Sequence, residues 1–206
     1  YGGEDITVTT ILAGTNLNQE TAGFLDMGFE TYKDENLKRI NSNPEAFRDA
    51  QSFRLHSRIE GSTENGSWMV TPYYRDTDMT FLMHFLPGTP LEENGHESVG
   101  VQTQYSSGNG ALEWSAGVDF EYSEGFLKQT QRFGFGSFPT GKQYDFTVEA
   151  TMFSPYVLLQ YQGTDLDQFS LGLRYEFLGY DYDNHMIDGN TAADGSSCSA
   201  SAFNPS

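Results

Sequence analysis

Leu112-Glu113-Trp114-Ser115-Ala116-Gly117-Val118-Asp119-Phe120-Glu121-Tyr122 alternates without a break. Leu112, Trp114, Ala116, Val118, Phe120 and Tyr122 fall on one side; Glu113, Ser115, Gly117, Asp119 and Glu121 fall on the other. A helix would mix the two sets, because its period is 3.6; a strand separates them, because its period is 2. Phe169, Leu171, Leu173, Tyr175 and Phe177 oppose Ser170, Gly172, Arg174 and Glu176 in the same way. Phe53, Leu55 and Ile59 oppose Arg54, His56, Arg58 and Glu60. Weaker versions run through Ile6–Ala13, Leu25–Tyr32, Trp68–Arg75, Val99–Tyr105 and Val157–Tyr161, which predicts about eight strands. Helix signals are nearly absent: Asn43-Pro44-Glu45-Ala46-Phe47-Arg48 predicts a single turn with Asn43 as cap and Pro44 at the first helical position.

Four connections are short and rich in turn formers: Gly14–Asn18, Gly61–Gly66, Ser106–Gly110 and Gly163–Asp167. Four others are long, approximately Lys33–Ala50, Asp76–Glu97, Ser123–Tyr144 and Gly179–Ser206. Short and long alternate along the chain. Nothing in a soluble sandwich imposes that order, whereas strands crossing a bilayer up and down put odd and even connections on opposite sides. The expected fold is therefore all-β, an antiparallel up-and-down transmembrane barrel, with the long loops extracellular. Leu112, Trp114, Val118, Phe120, Leu171 and Leu173 would face lipid. Arg54, His56, Arg58, Glu113, Asp119, Glu121, Arg174 and Glu176 would line a wet interior, since a dry core would charge several kcal/mol for each. Trp68, Tyr105, Trp114, Tyr161 and Phe169 near the short turns, and Tyr74, Tyr122 and Phe177 a strand-length away, resemble two interfacial girdles. A soluble antiparallel sheet whose polar face meets water has the same alternation.

The 206 residues carry 11 Lys and Arg against 29 Asp and Glu, a net charge of −18, which argues against a nucleic-acid partner. No apolar run approaches the ~18 residues of a helical span, a point that does not bear on barrels. One Cys gives no disulfide framework within the chain. Tyr1–Asp5 has no signal-peptide pattern, and Asn190–Ser206 is small and polar, so both ends read as cuts through a longer protein.

Tyr156-Val157-Leu158-Leu159-Gln160-Tyr161, the Gly-Thr-Asp-Leu-Asp turn, Gly172-Leu173-Arg174-Tyr175-Glu176 and Tyr182-Asp183-Asn184 resemble the barrel of TonB-dependent outer-membrane receptors. Asp188–Thr191 through Asp194-Gly195 to Cys198 is similar to an extracellular loop of that family. Phe47–Arg54 and Val70–Arg75 are similar to its first barrel strands. The resemblance implies a plugged barrel of about 22 strands, of which residues 1–206 are a partial segment with 179–206 as an extracellular loop. It further implies TonB-driven import of a scarce ligand (an iron–siderophore, cobalamin or a glycan), with TonB reached through a plug this chain lacks, and contact with outer-membrane lipid and lipopolysaccharide. The family's second loop Cys has no counterpart after Cys198. Two other readings compete: a complete eight-stranded outer-membrane barrel, and a soluble all-β carbohydrate-binding module.

Other chemistry is weakly signalled. Gly136–Lys142 imitates a phosphate loop but continues to Gln143, without the Ser or Thr that holds magnesium. Asp181, Asp183, Asn184 and Asp188 lack the ligand order of a calcium loop and read as a solvated acidic loop. The histidines His56, His84, His96 and His185 have no metal-ligand spacing, so neither metal nor cofactor is expected. No nucleophile–base arrangement points to an enzyme, and Glu113, Asp119 and Glu121 read as wall residues rather than glycosidase acids. Arg132, Phe133, Phe135 and Tyr144, with Phe138 and Lys142, crowd the third long loop. They could stack on an anionic aromatic ligand or pack loop against loop.

Overall fold

The computed structural model describes residues 6–22, 31–41, 43–82, 88–134, 140–163 and 167–186. Strands hold 78% of these, in one antiparallel up-and-down sheet. They are β1 (Thr7–Glu20), β2 (Phe47–Thr63), β3 (Gly66–Leu82), β4 (Leu91–Asn109), β5 (Leu112–Gln131), β6 (Gly141–Gln162), β7 (Gln168–Arg174) and β8 (Phe177–Asn184). Each of the first seven pairs with its sequence neighbour, and β8 also lies along β6. β7 and β8 form one line, because Tyr156↔Arg174 and Phe153↔Phe177 share a register. The break falls opposite Pro155, which has no N–H to give; Tyr175 N–H still donates to the Pro155 carbonyl at 3.0 Å.

Seven ribbons therefore run up and down in turn, and β1 points the same way as β7–β8. These two edges cannot pair antiparallel with each other. β1 pairs with β2 alone and the sheet is not closed, so a complete eight-stranded barrel does not describe it. A second sheet is also missing among the described residues, and Ala46 and Pro90 are their only buried apolar side chains. Leu171 and Leu173 are 61% and 66% exposed. The described residues do not form the two-layer sandwich expected of a soluble β module.

The first short connection is corrected: Gly14–Asn18 is no turn but part of β1, in register with β2 from Gly14↔Phe53 to Asn18↔Asp49. Asn18 Nδ2 donates to Asp49 across the strands at 2.7 Å, so cross-strand pairing overrides turn preference. Leu25–Tyr32 lies outside the described residues except for its last two, which enter a 3₁₀ turn, Thr31–Lys33. The expected helical turn Asn43–Arg48 is no helix: Asn43–Ala46 is a tight turn closed by Ala46 N–H on the Asn43 carbonyl at 3.1 Å, and Phe47 and Arg48 already belong to β2. The next two short turns fall near the expected places but are tighter: Glu64-Asn65 joins β2 to β3, and Gly110-Ala111 joins β4 to β5, while Gly61–Thr63 and Ser106–Asn109 are strand. Gly110 has φ +64, the left-handed conformation that glycine adopts without strain. At the third turn Gly163 N–H donates to the Asp167 carbonyl at 2.9 Å.

The strands are longer than the alternation suggests. β6 has 22 residues, roughly 70 Å at about 3.3 Å per residue. Most of Asp76–Glu97 and Ser123–Tyr144 is strand, leaving connections 83–90 and 132–140. Gly179–Asn184, expected as loop, is strand β8. The cause is a change of phase: in β6, Tyr144, Phe146, Val148, Ala150 and Met152 share one face, whereas Phe153, Pro155, Val157, Leu159 and Tyr161 share the other. One period-two pattern cannot represent a strand whose apolar side switches halfway.

Candidate functional site

Register assembles the apolar residues into a band on one face. Leu112, Trp114, Val118 and Phe120 of β5 stand opposite Tyr161, Leu159, Pro155 and Phe153 of β6. Leu159 and Val157 in turn stand opposite Leu171 and Leu173 of β7. On the other flank Trp68 meets Tyr105, Val70 meets Thr103 and Tyr74 meets Val99, then Ile59 meets Val70 and Leu55 meets Tyr74. Val8 and Leu12 of β1 complete it against Ile59 and Leu55. The band is bounded by aromatics. Tyr105 and Trp114 rings lie 5.6 Å apart near the short turns, and Phe53–Tyr74 and Phe153–Phe177 lie 6.1 Å apart on the far side. From Trp114 to Tyr122 is eight residue steps, about 26 Å along the strand.

All eight residues expected to line an interior lie on the opposite face: Arg54, His56 and Arg58 on β2, Glu113, Asp119 and Glu121 on β5, Arg174 on β7 and Glu176 just after it. Four of them, Asp119, Glu121, Arg174 and Glu176, enter two networks. Arg174 Nη1 donates to Asp119 at 2.8 Å, reaching over β6, and Arg174 Nη2 lies 3.7 Å from Glu176, which also accepts from the buried Ser154 hydroxyl at 3.2 Å. In the second, Arg75 Nη2 donates to Glu121 at 2.5 Å and Arg75 Nε to the buried Ser98 hydroxyl at 3.0 Å. The Tyr73 hydroxyl donates to the same Glu121. Tyr73 can do so because Gly100 stands between them in the row Tyr73↔Gly100↔Glu121. A Cβ on Gly100 would meet the Tyr73 ring at 2.4 Å. Tyr156 repeats the device over Gly117, donating to the Thr103 carbonyl at 3.1 Å. Sequence reasoning missed Tyr73, Arg75 and Tyr156. Aromatics occupy both faces of Trp68–Arg75, which hides its polar side.

Beyond the Tyr74–Tyr122 row the faces exchange character. Asp76↔Glu97, Glu97↔Glu124, Glu124↔Glu149 and Glu149↔Asp181 place one carboxylate per strand directly opposite the next, across five strands. The Tyr74 and Tyr122 hydroxyls bond to Glu97 and Glu149. On the other side Phe146 and Tyr182 rings approach to 5.2 Å. Glu92, 9% exposed, is satisfied by Asn94 at 2.8 Å and Gln129 at 3.1 Å.

Of the residues expected to hold a ligand, Arg132 and Phe133 come together just after β5, with the guanidinium 5.4 Å from the ring centre and Phe133 67% exposed. Tyr144 sits at the same end, on β6 opposite Gln129. Phe135 lies outside the described residues, as do Phe138, Asp188, Cys198 and most of Gly136–Lys142. Lys142 does not approach a phosphate cradle; its Nζ is 2.5 Å from Asp145, which also receives His185 Nδ1 at 3.3 Å. These partners, Lys142 foremost, hold the Asp145 carboxyl below its ordinary value. Asp181 and Asp183 belong to one face of β8 and Asn184 to the other. Among the described residues no group of His, Cys, Asp and Glu has a metal-holding arrangement. Nor is any helix there long and apolar enough to cross a membrane, which says nothing of a β-barrel. No protein-family model and no curated protein matches the chain.

Proposed function

We propose that this chain is a segment of an outer-membrane receptor of the TonB-dependent class, taking up a scarce ligand captured by the long-loop end. One observation carries the membrane part. A single-layer sheet offers a continuous apolar band on one face and arginines and carboxylates on the other, with no second layer among the described residues to bury the band. Water does not tolerate so large an uncovered apolar surface, whereas hydrocarbon does. Two open edges support a barrel larger than these ribbons, because lipid admits only closed sheets. An even-numbered antiparallel barrel needs an odd number of strands added to these seven. The receptor class itself rests on the motif resemblance around Tyr156–Glu176 and Phe47–Arg54. On this reading the band's partners are outer-membrane lipid and lipopolysaccharide. TonB acts through a plug, and Arg132 with Phe133 offers a cation and an exposed ring to a ligand of the ferric-siderophore class.

The test uses single cysteines in a Cys198→Ser background, carrying spin labels at Val118 and Leu171 on one face and at Gln102 and Ser170 on the other, in lipid bilayers. The first pair should relax with dissolved oxygen and the second with a water-soluble nickel chelate. Equal access of the chelate to both pairs would sink the membrane reading. For the receptor part, a ferric siderophore, cobalamin and oligosaccharides are titrated against the full protein and Arg132→Ala. Binding by none of the three removes that part alone.

A further inference from the structure

The mid-band arginines of the polar face are matched to acids one by one, with an exception. Arg58 has Glu60 at 2.7 Å, Arg75 has Glu121 at 2.5 Å and Arg174 has Asp119 at 2.8 Å. Among the described residues no hydrogen bond or ion pair holds the Arg54 guanidinium. Its cross-strand neighbours are Ala13 on β1 and Arg75 on β3, and the next positions on its own face are Ser52 and His56. In a chain with 29 acids for 11 Lys and Arg, this arginine sits beside another arginine and a histidine instead. Like charges directly opposite each other repel. Arg75 spends Nη2 and Nε on Glu121 and Ser98, and its Nη1 edge remains. A groove of about 380 Å³ has Arg54, His56, Thr71, Tyr73, Arg75 and Gln102 in its lining together with Glu121, whose two oxygens are engaged by Tyr73 and Arg75.

We propose that Arg54, with His56 and the Nη1 edge of Arg75, forms a binding station for the oxyanion group of a small solute, a carboxylate or a phosphate. A guanidinium fork matches two oxygens of such a group and gives charge-assisted bonds. The anion also removes the repulsion between the two arginines. The groove is of small-molecule size, and its neutral Thr71, Tyr73 and Gln102 groups suit a hydroxylated solute. This rests on the preceding reading in so far as the polar face is the wet wall along which solute moves.

The experiment is calorimetric titration of the full protein in lipid nanodiscs with sodium phosphate and with sodium citrate. Sodium chloride at matched ionic strength and a Glu-rich peptide are the comparison arms. Saturable binding of phosphate or citrate is expected, and which of the two binds tells a phosphate from a carboxylate solute. Arg54→Gln should weaken it about tenfold or more, and Arg54→Lys less, since charge survives without the fork. Arg58→Gln, already engaged by Glu60, should leave it within about twofold. Nanodisc insertion of each variant is read by the Val118 spin label. Normal insertion without saturable phosphate or citrate binding overturns the station and leaves the membrane reading intact. Binding of the peptide alone overturns it in favour of a protein segment. Failure of insertion overturns the membrane reading; the titration is then made in detergent, where Arg54-dependent binding upholds the station and its absence refutes it.

Discussion

At the scale of single residues, the polar face is shaped by two glycines as much as by its charges. A side chain at Gly100 would meet the Tyr73 ring at 2.4 Å and the Phe120 carbonyl at 2.7 Å; at Gly117 it would meet the Thr103 carbonyl at 2.0 Å and the Tyr156 ring at 2.6 Å. Backbone cannot retreat as a flexible side chain can. Gly100→Val and Gly117→Val should each destabilise the sheet by about 1–3 kcal/mol. Gly179→Ala, where nothing lies within 4 Å, should not. Urea unfolding followed by tryptophan fluorescence checks the contrast. Asp145 supplies a pH dependence. Lys142 first, then His185, hold its carboxyl below the ordinary carboxylate range. A depressed acid contributes stability that is fully present above its unfolded pKa and is lost as pH falls through the folded one. The end of β8, where His185 N–H donates to the Asp145 carbonyl at 2.8 Å, should therefore open below about pH 4. Hydrogen exchange at His185 as a function of pH would show it, and Asp145→Asn should remove the dependence.

At the scale of strands, the carboxylate row is an internal strain. Glu124 faces Glu97 on one side and Glu149 on the other. Glu124→Gln relieves two like-charge pairs at once and should stabilise by about 0.2–1 kcal/mol for each. The gain should shrink as salt rises, because exposed charges are screened over about 10 Å at 0.1 M. Unfolding midpoints at low and high sodium chloride measure both effects. A gain that persisted unchanged at high salt would point to packing rather than charge.

At the scale of the molecule, the two faces should respond oppositely to the same substitution. Val118 is midway between Trp114 and Tyr122 on the apolar face, and Val118→Arg should cost about 2–4 kcal/mol in a bilayer. Gln102→Arg, one face away on the neighbouring strand and beside Glu121 in the same groove, should change stability by less than about 1 kcal/mol. Refolding into lipid vesicles, followed by tryptophan fluorescence over a urea series, compares them. Similar costs for both would mean that the two faces share one environment.

Strand character was legible wherever alternation kept one phase, as in Leu112–Tyr122 and Phe169–Arg174, because backbone geometry alone sends successive side chains to opposite faces. That Arg54, His56, Arg58, Glu113, Asp119, Glu121, Arg174 and Glu176 share the face opposite the apolar band was legible for the same reason. Alternation says nothing about which residues stand opposite one another. Register is a tertiary property, so only the folded sheet decided that Arg54 meets Arg75 rather than an acid, and that Tyr73 reaches Glu121 over Gly100. It likewise decided that five carboxylates share a row and that Gly14–Asn18 extends a strand instead of turning. Arg132 and Phe133 are neighbours in sequence, so the approach of guanidinium to ring needed no tertiary contact.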